Sequence, residues 1–207
     1  MMEIKYKYVV EMPPVVDTKQ NFLDKLKNKH ASKIFEGKEF VMISPIFNDG
    51  KNEYAHLILD FDSHDASIAR AFEEAQQMAT YLKKYPHYFE ITPHGVHVVF
   101  NVAVELQSIK LSDLREAFAK LSFSTLDYVS SFRDMPIFRI GSWRKPYTIL
   151  PATKLSLTSL KNNQHQQGPL YYFEAKHWFH IWETMLLPKE RIEGEAFIHY
   201  LTKYKNR

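Results

Sequence analysis

A chain of 207 residues with 45% hydrophobic content can bury one substantial core, and its composition fits neither a disordered nor a fibrous protein. The absence of cysteine excludes disulfides, a thiolate nucleophile and Cys-ligated zinc or iron–sulfur centres. The formal charge of +3 is unevenly placed: residues 1–142 carry 17 Lys and Arg against 19 Asp and Glu, residues 143–207 carry 10 against 5, and this C-terminal basic excess is compatible with a polyanionic partner.

No apolar run has the length of a signal peptide h-region or a membrane span, so a cytoplasmic protein with no membrane partner is expected. Residues 4–10 alternate as a strand does, and Pro13-Pro14 stops it. Asp17 or Thr18 then caps a predicted short helix with Phe22, Leu23 and Leu26 as its apolar positions, ending near Lys29. Phe40 to Ile43 reads as a second strand. The Asp49-Gly50 pair signals a tight hairpin, so the strand over 54–62 is expected to pair antiparallel with its predecessor.

That third strand ends Leu57-Ile58-Leu59-Asp60-Phe61-Asp62. Alternation puts Asp60 and Asp62 on one face and Phe61 on the other. Two parallel carboxylates are costly unless a cation holds them, and hard oxygens suit Mg²⁺ or Mn²⁺. An isolated Asp-x-Asp, however, is more often a strand that merely ends in a polar turn.

Ser63-His64-Asp65 supplies cap residues for a helix over 65–84. Its apolar positions Ile68, Ala71, Phe72, Ala75, Met78, Ala79 and Leu82 step at three and four, and Pro86 ends it. Packed behind the acids, such a helix holds them rigid. A strand over 88–91, the turn Thr92-Pro93-His94-Gly95 and an apolar strand over 96–102 follow. His97 in that strand reads equally as a satisfied core residue or as an anion contact, since a Pro-x-Gly turn can present backbone N–H groups to an anion. His94 and His97 straddle a turn and do not form a helical zinc pair.

Next come a short helix over 111–121 and a stretch containing Asp127, Asp134, Arg139, Gly141-Ser142, Arg144 and Lys145. Three cations around a Gly-Ser turn suit either a phosphate cradle or a solvated basic loop. A weak strand over 155–158 and a polar loop from Lys161 to Gly168 lead to two predicted helices, 172–187 and 189–204, broken at Pro188. Trp178, Ile181, Trp182 and Met185 are their expected core residues, with His177 and His180 structural. No linker-like boundary divides the chain.

Taken in order, the Asp-x-Asp strand end, the Gly-x-His hairpin 35 residues later, the Leu-Asp and the basic Arg…Ser…Lys stretch resemble the catalytic core of the archaeo-eukaryotic primase superfamily, the primase-polymerases. The resemblance runs from about residue 40 to 150. It implies an α+β fold with mixed or antiparallel sheets, an RRM-like catalytic module flanked by helices, and a helical C-terminal segment over 170–207, all in one domain spanning 1–207. It implies a nucleotidyltransferase that makes and extends primers on a single-stranded DNA template from nucleoside triphosphates. Two Mn²⁺ or Mg²⁺ ions would sit on Asp60, Asp62 and Asp127, with Thr92, Gly95, His97, Arg139, Ser142 and Lys145 binding the nucleotide. No zinc is expected, because the cysteines of the family's usual zinc element are missing. The family's His turn is one residue longer and richer in glycine, which leaves the serine counterpart open between Thr92 and Gly95. Asp134 competes with Asp127, whose Leu-Asp-x-Val-Ser setting fits better. Rival readings are a two-metal nuclease or phosphodiesterase, an end-joining repair polymerase of the same superfamily, and a non-catalytic nucleic-acid-binding module. A larger replication, repair or defence partner also suits a bare core of this kind.

Overall fold

The computed structural model describes residues 5–9, 15–18, 41–63, 67–91, 95–127, 138–140, 150–152 and 190–204, with backbone alone for 5–9, 15–18, 41–45, 138–140 and 150–152. These residues form an α+β fold built on one largely antiparallel sheet. Strand β1 (Lys5–Val9) pairs with β2 (Val15–Thr18) on one side and with β3 (Val41–Asn48) on the other. Asp17 and Thr18 lie opposite Tyr6 and Lys5 in the sheet. The β-branched Val15-Val16 pair just after Pro13-Pro14 favours this extended backbone. The short helix expected after them, with Phe22, Leu23 and Leu26, lies outside the described residues.

The hairpin between β3 and β4 (Glu53–Asp62) forms as predicted, with Asn48 opposite Glu53. Gly50 takes φ 90°, a backbone state that costs glycine little. Asp49 Oδ1 accepts the N–H groups of Lys51 and Asn52, each at 3.0 Å, which closes the turn. Helix α1 (Ile68–Tyr81) starts later than the 63–65 cap signal suggested, at Ser67, whose Oγ accepts the Arg70 N–H at 3.3 Å.

Strands β5 (His87–Ile91) and β6 (Gly95–Glu105) make a second hairpin, and β6 pairs with β4 along most of its length. The register between β4 and β6 shifts between His56 and Ile58. There the Phe100 carbonyl accepts from His56 Nε2 at 2.8 Å, which satisfies a buried histidine at an irregularity of the ladder. Helix α2 (Leu111–Ala119) follows, then β7 (Phe138–Ile140) against β3 and β8 (Leu150–Ala152) against β5. Pro151 in β8 suits the sheet edge, where a missing N–H is tolerated.

The C-terminal stretch departs from the single helix expected over 189–204. Strand β9 (Glu190–Glu193) pairs parallel with Val102 to Glu105 of β6, and only then does α3 (Gly194–Thr202) begin. A Cβ at Gly194 would lie 2.5 Å from the Glu105 carbonyl oxygen, so the change from strand to helix needs a residue without one. The strand over 155–158, the loop over 161–168 and the helix over 172–187 with Trp178, Ile181, Trp182 and Met185 lie outside the described residues, as do His177 and His180.

One sheet face carries the core. Leu57, Leu59 and Phe61 of β4, Val96, Val98 and Phe100 of β6, and Phe89 and Ile91 of β5 pack against Ala71, Phe72, Ala75, Met78 and Ala79 of α1. Phe118 of α2 and Phe197 of α3 extend this layer, their rings 6.1 Å apart. Each large apolar side chain buried here contributes about 1.5–3 kcal/mol, so the helical layer fixes the strands whose opposite face carries the acids. Among the described residues no helix is long and apolar enough to cross a membrane.

Candidate active site

The two acids of β4 are placed by strand alternation, and a third chain segment completes their surroundings. Phe61 is fully buried in the core, which turns Asp60 and Asp62 to the opposite face, where both are partly exposed. Across the β4–β6 ladder Asp60 lies opposite His97 and Asp62 opposite Gly95. Directly opposed residues of an antiparallel pair share a face, so His97 stands on the acidic side of the sheet.

Beyond α2 the chain returns to the free edge of this end of β4. Phe61 and Leu126 form an antiparallel bridge. The Asp62 N–H donates to the Thr125 carbonyl and the Asp127 N–H to the Asp60 carbonyl, both at 2.8 Å. Asp127 thereby lies directly across from Asp60, on the face that already carries Asp62 and His97. Residues 60 and 127, 67 positions apart in the chain, become cross-strand neighbours.

His97 is held between carboxylates. Its Nδ1–H donates to Glu90 Oε2 at 3.0 Å, and its Nε2 lies 3.4 Å from Asp60 Oδ1. Glu90, opposite His97 in the β5–β6 hairpin, is only 2% exposed, against 28% for Asp60. Burial by itself would lower the His97 pKa, but the Asp60 charge, the Glu90 hydrogen bond and charge, and the Asp62 charge reverse this and raise it to about 9. The imidazole is therefore a cation at neutral pH, flanked by Glu90 and Asp60. Asp62 Oδ1 also accepts the Ser63 N–H at 2.8 Å.

Gly95 is required by close approach. A Cβ there would lie 1.8 Å from the Phe61 carbonyl oxygen and 3.0 Å from the Asp62 Cα. The glycine read from sequence as a phosphate contact thus also lets the start of β6 lie against the backbone that bears the acids.

Of the other residues singled out in the sequence, Arg139 lies in β7, its backbone opposite Met42 of β3. Thr92, Ser142 and Lys145 lie outside the described residues, as do His94, Asp134 and Arg144.

Two carboxylates escaped the sequence reading. Glu90 was readable, since Glu90 and His97 are placed symmetrically about the predicted 92–95 turn and any tight hairpin there brings them opposite. Glu74 interrupts the apolar stripe of α1 between Ala71 and Met78, an anomaly that called for a buried partner. It is 1% exposed and accepts from Arg70 Nε, from the N–H and hydroxyl of Ser124, and from the N–H and hydroxyl of Thr125.

Burial alone would raise the Glu74 pKa, but the Thr125 and Ser124 hydrogen bonds take it from 4.5 down to about 2. A carboxylate depressed on folding stabilises the protein above its unfolded value and loses that contribution as pH falls through the folded one. Stability should therefore fall between about pH 4.5 and 2 in denaturant titrations, and a Glu74→Gln variant should show a shallower fall. Part of the slope should persist, because Asp49 is also lowered to about 2, by the Asn52 and Lys51 N–H groups and by Arg191 of β9. An unchanged slope in Glu74→Gln would contradict this assignment.

The donor chemistry on the acidic face is that of a hard divalent cation: three carboxylates, no sulfur, and neighbouring backbone positions. Among the described residues no three His, Asp or Glu side chains already stand grouped as metal ligands, so the match lies in donor type and backbone placement. The chain matches no family model, no curated protein and no solved structure.

Proposed function

We propose that this chain is a template-directed nucleotidyltransferase of the primase-polymerase kind, making and extending primers on single-stranded DNA from nucleoside triphosphates. The observation that carries the reading is the meeting of Asp60, Asp62 and Asp127 on one sheet face with His97 beside them. A merely polar strand end would account for Asp60 and Asp62. It would not bring a third acid from 67 residues away onto the same face, nor bury Glu90 behind a histidine.

On this reading Asp60, Asp62 and Asp127 hold two Mn²⁺ or Mg²⁺ ions. When bound, such ions lower the pKa of the attacking 3′-hydroxyl and stabilise the charge on the leaving pyrophosphate. His97 offers its Nε2 to the triphosphate, and Glu90 holds the ring by its Nδ1–H so that Nε2 faces the acids. Thr92, Gly95, Arg139, Ser142 and Lys145 are assigned to the nucleotide by the family resemblance. The basic C-terminal third takes the template by phosphate contacts and stacking. The finer fold reading, a primase-like domain with an RRM-like module, belongs to the same proposal.

The test is incubation with a single-stranded template, labelled nucleotides and Mn²⁺, followed by product sizing. Products longer than one nucleotide that depend on template and Mn²⁺ are expected. Shortening of the template without new strands would instead identify a nuclease acting through the same acids.

A further inference from the structure

We infer that Glu74 is a positioning residue for the third acid, its buried carboxylate clamping Ser124 and Thr125 so that Asp127 is set beside Asp60. The inference rests on the metal-binding reading of Asp60, Asp62 and Asp127.

The geometry runs in one direction. Ser122 ends the α2 turn with φ 57°, a left-handed state that redirects the chain toward the sheet. Glu74 then takes the Ser124 N–H and hydroxyl at 3.1 and 2.7 Å and the Thr125 N–H and hydroxyl at 2.8 and 2.6 Å. Thr125 is held from both sides: α1 takes its donors, while its carbonyl accepts the Asp62 N–H. Two residues further on, the Asp127 N–H reaches the Asp60 carbonyl. Arg70 Nε, at 2.8 Å, is the fifth donor and belongs to the same helix, so the carboxylate is fixed before it grips the segment.

A stability role alone would not call for this arrangement. Burying a carboxylate is costly, and well-packed apolar groups of similar volume commonly serve stability as well or better. Five directed hydrogen bonds instead specify where residues 124–127 stand relative to β4, which is what a metal ligand borne by a non-strand segment needs.

The experiment uses the full chain and reads Mn²⁺ binding directly, by loss of the free-ion electron paramagnetic resonance signal. Glu74→Gln should weaken Mn²⁺ binding by about tenfold, the lower end of what loss of a group bonded directly to a ligand causes, because Glu74 acts through Ser124 and Thr125. Primer synthesis should return as Mn²⁺ is raised, a rescue that a purely structural lesion would not show. In an Asp127→Asn background Glu74→Gln should add no further loss of Mn²⁺ affinity. A folded Glu74→Gln protein with wild-type Mn²⁺ affinity overturns the inference, as does an undiminished effect in the Asp127→Asn background. Should Glu74→Gln not fold, Thr125→Val removes a single donor; it should weaken Mn²⁺ binding in the same direction, and unchanged affinity there overturns the inference equally. A wild-type chain that binds no Mn²⁺ removes the metal reading itself, and this inference with it; that outcome is separable because no variant is needed to see it.

Discussion

Asp127→Ala should leave the fold in place and reduce primer synthesis by on the order of 10³-fold or more, the rate equivalent of losing several kcal/mol of metal-borne charge stabilisation. The fold should persist because Asp127 is joined to β4 through its backbone: its N–H donates to the Asp60 carbonyl, and an alanine keeps that bond. Its side chain is partly exposed, so truncation opens no cavity in the core. Asp60→Ala should lose activity to the same degree. It also removes the charge that raises the His97 pKa most, so that pKa should fall in the Asp60→Ala variant. Circular dichroism and melting establish the fold, and steady-state synthesis at saturating nucleotide measures the loss. Unaltered extension by either variant would remove the acids from the chemistry.

Gly95→Ala should instead act on stability first. The added methyl meets the Phe61 carbonyl oxygen and carbon and the Asp62 Cα, all backbone atoms that no rotamer change can move aside. Relief requires β6 to draw back from the end of β4, which breaks the ladder where Asp62 and Gly95 are opposed. Forcing extra atoms into packed structure costs about 1–3 kcal/mol and sometimes more, and a backbone clash this close belongs at the upper end. For a domain of this size that corresponds to a melting point lower by roughly 6–12 °C. Synthesis by the folded fraction should fall as well, since Asp62 shifts relative to Asp60 and His97. A Gly95→Ala protein that melts within about 2 °C of wild type would show that the strands separate there without cost.

How far these features were legible differs from residue to residue. The Asp49-Gly50 turn, the strand through Asp60 and Asp62 and the apolar stripe of α1 could be read directly, because each depends on local periodicity or local turn chemistry. The pairing of His97 with Glu90 was implicit in the hairpin but needed the turn to be used as a ruler. Asp127 could be chosen over Asp134 only by resemblance, since nothing in residues 120–127 signals that they will lie along β4. That approach is set by Glu74, by Ser122 in a left-handed conformation, and by Phe123, whose ring meets Phe61 edge-on at 5.9 Å. All three act over long sequence separation or through a backbone state that composition does not reveal. Strand β9 was hidden for a related reason: Glu190 to Glu193 has the polar composition of a helix start, and only its place beside Val102 to Glu105 makes it a strand.

On the proposed function, three acids from two separate segments share divalent cations. The most direct measurement is anomalous diffraction from crystals of the full chain grown with Mn²⁺ and a nucleoside triphosphate. Manganese peaks bounded by the carboxylates of Asp60, Asp62 and Asp127, on the sheet face that carries His97, are the predicted result. Manganese bound elsewhere while these three carboxylates coordinate nothing would exclude them as the metal site.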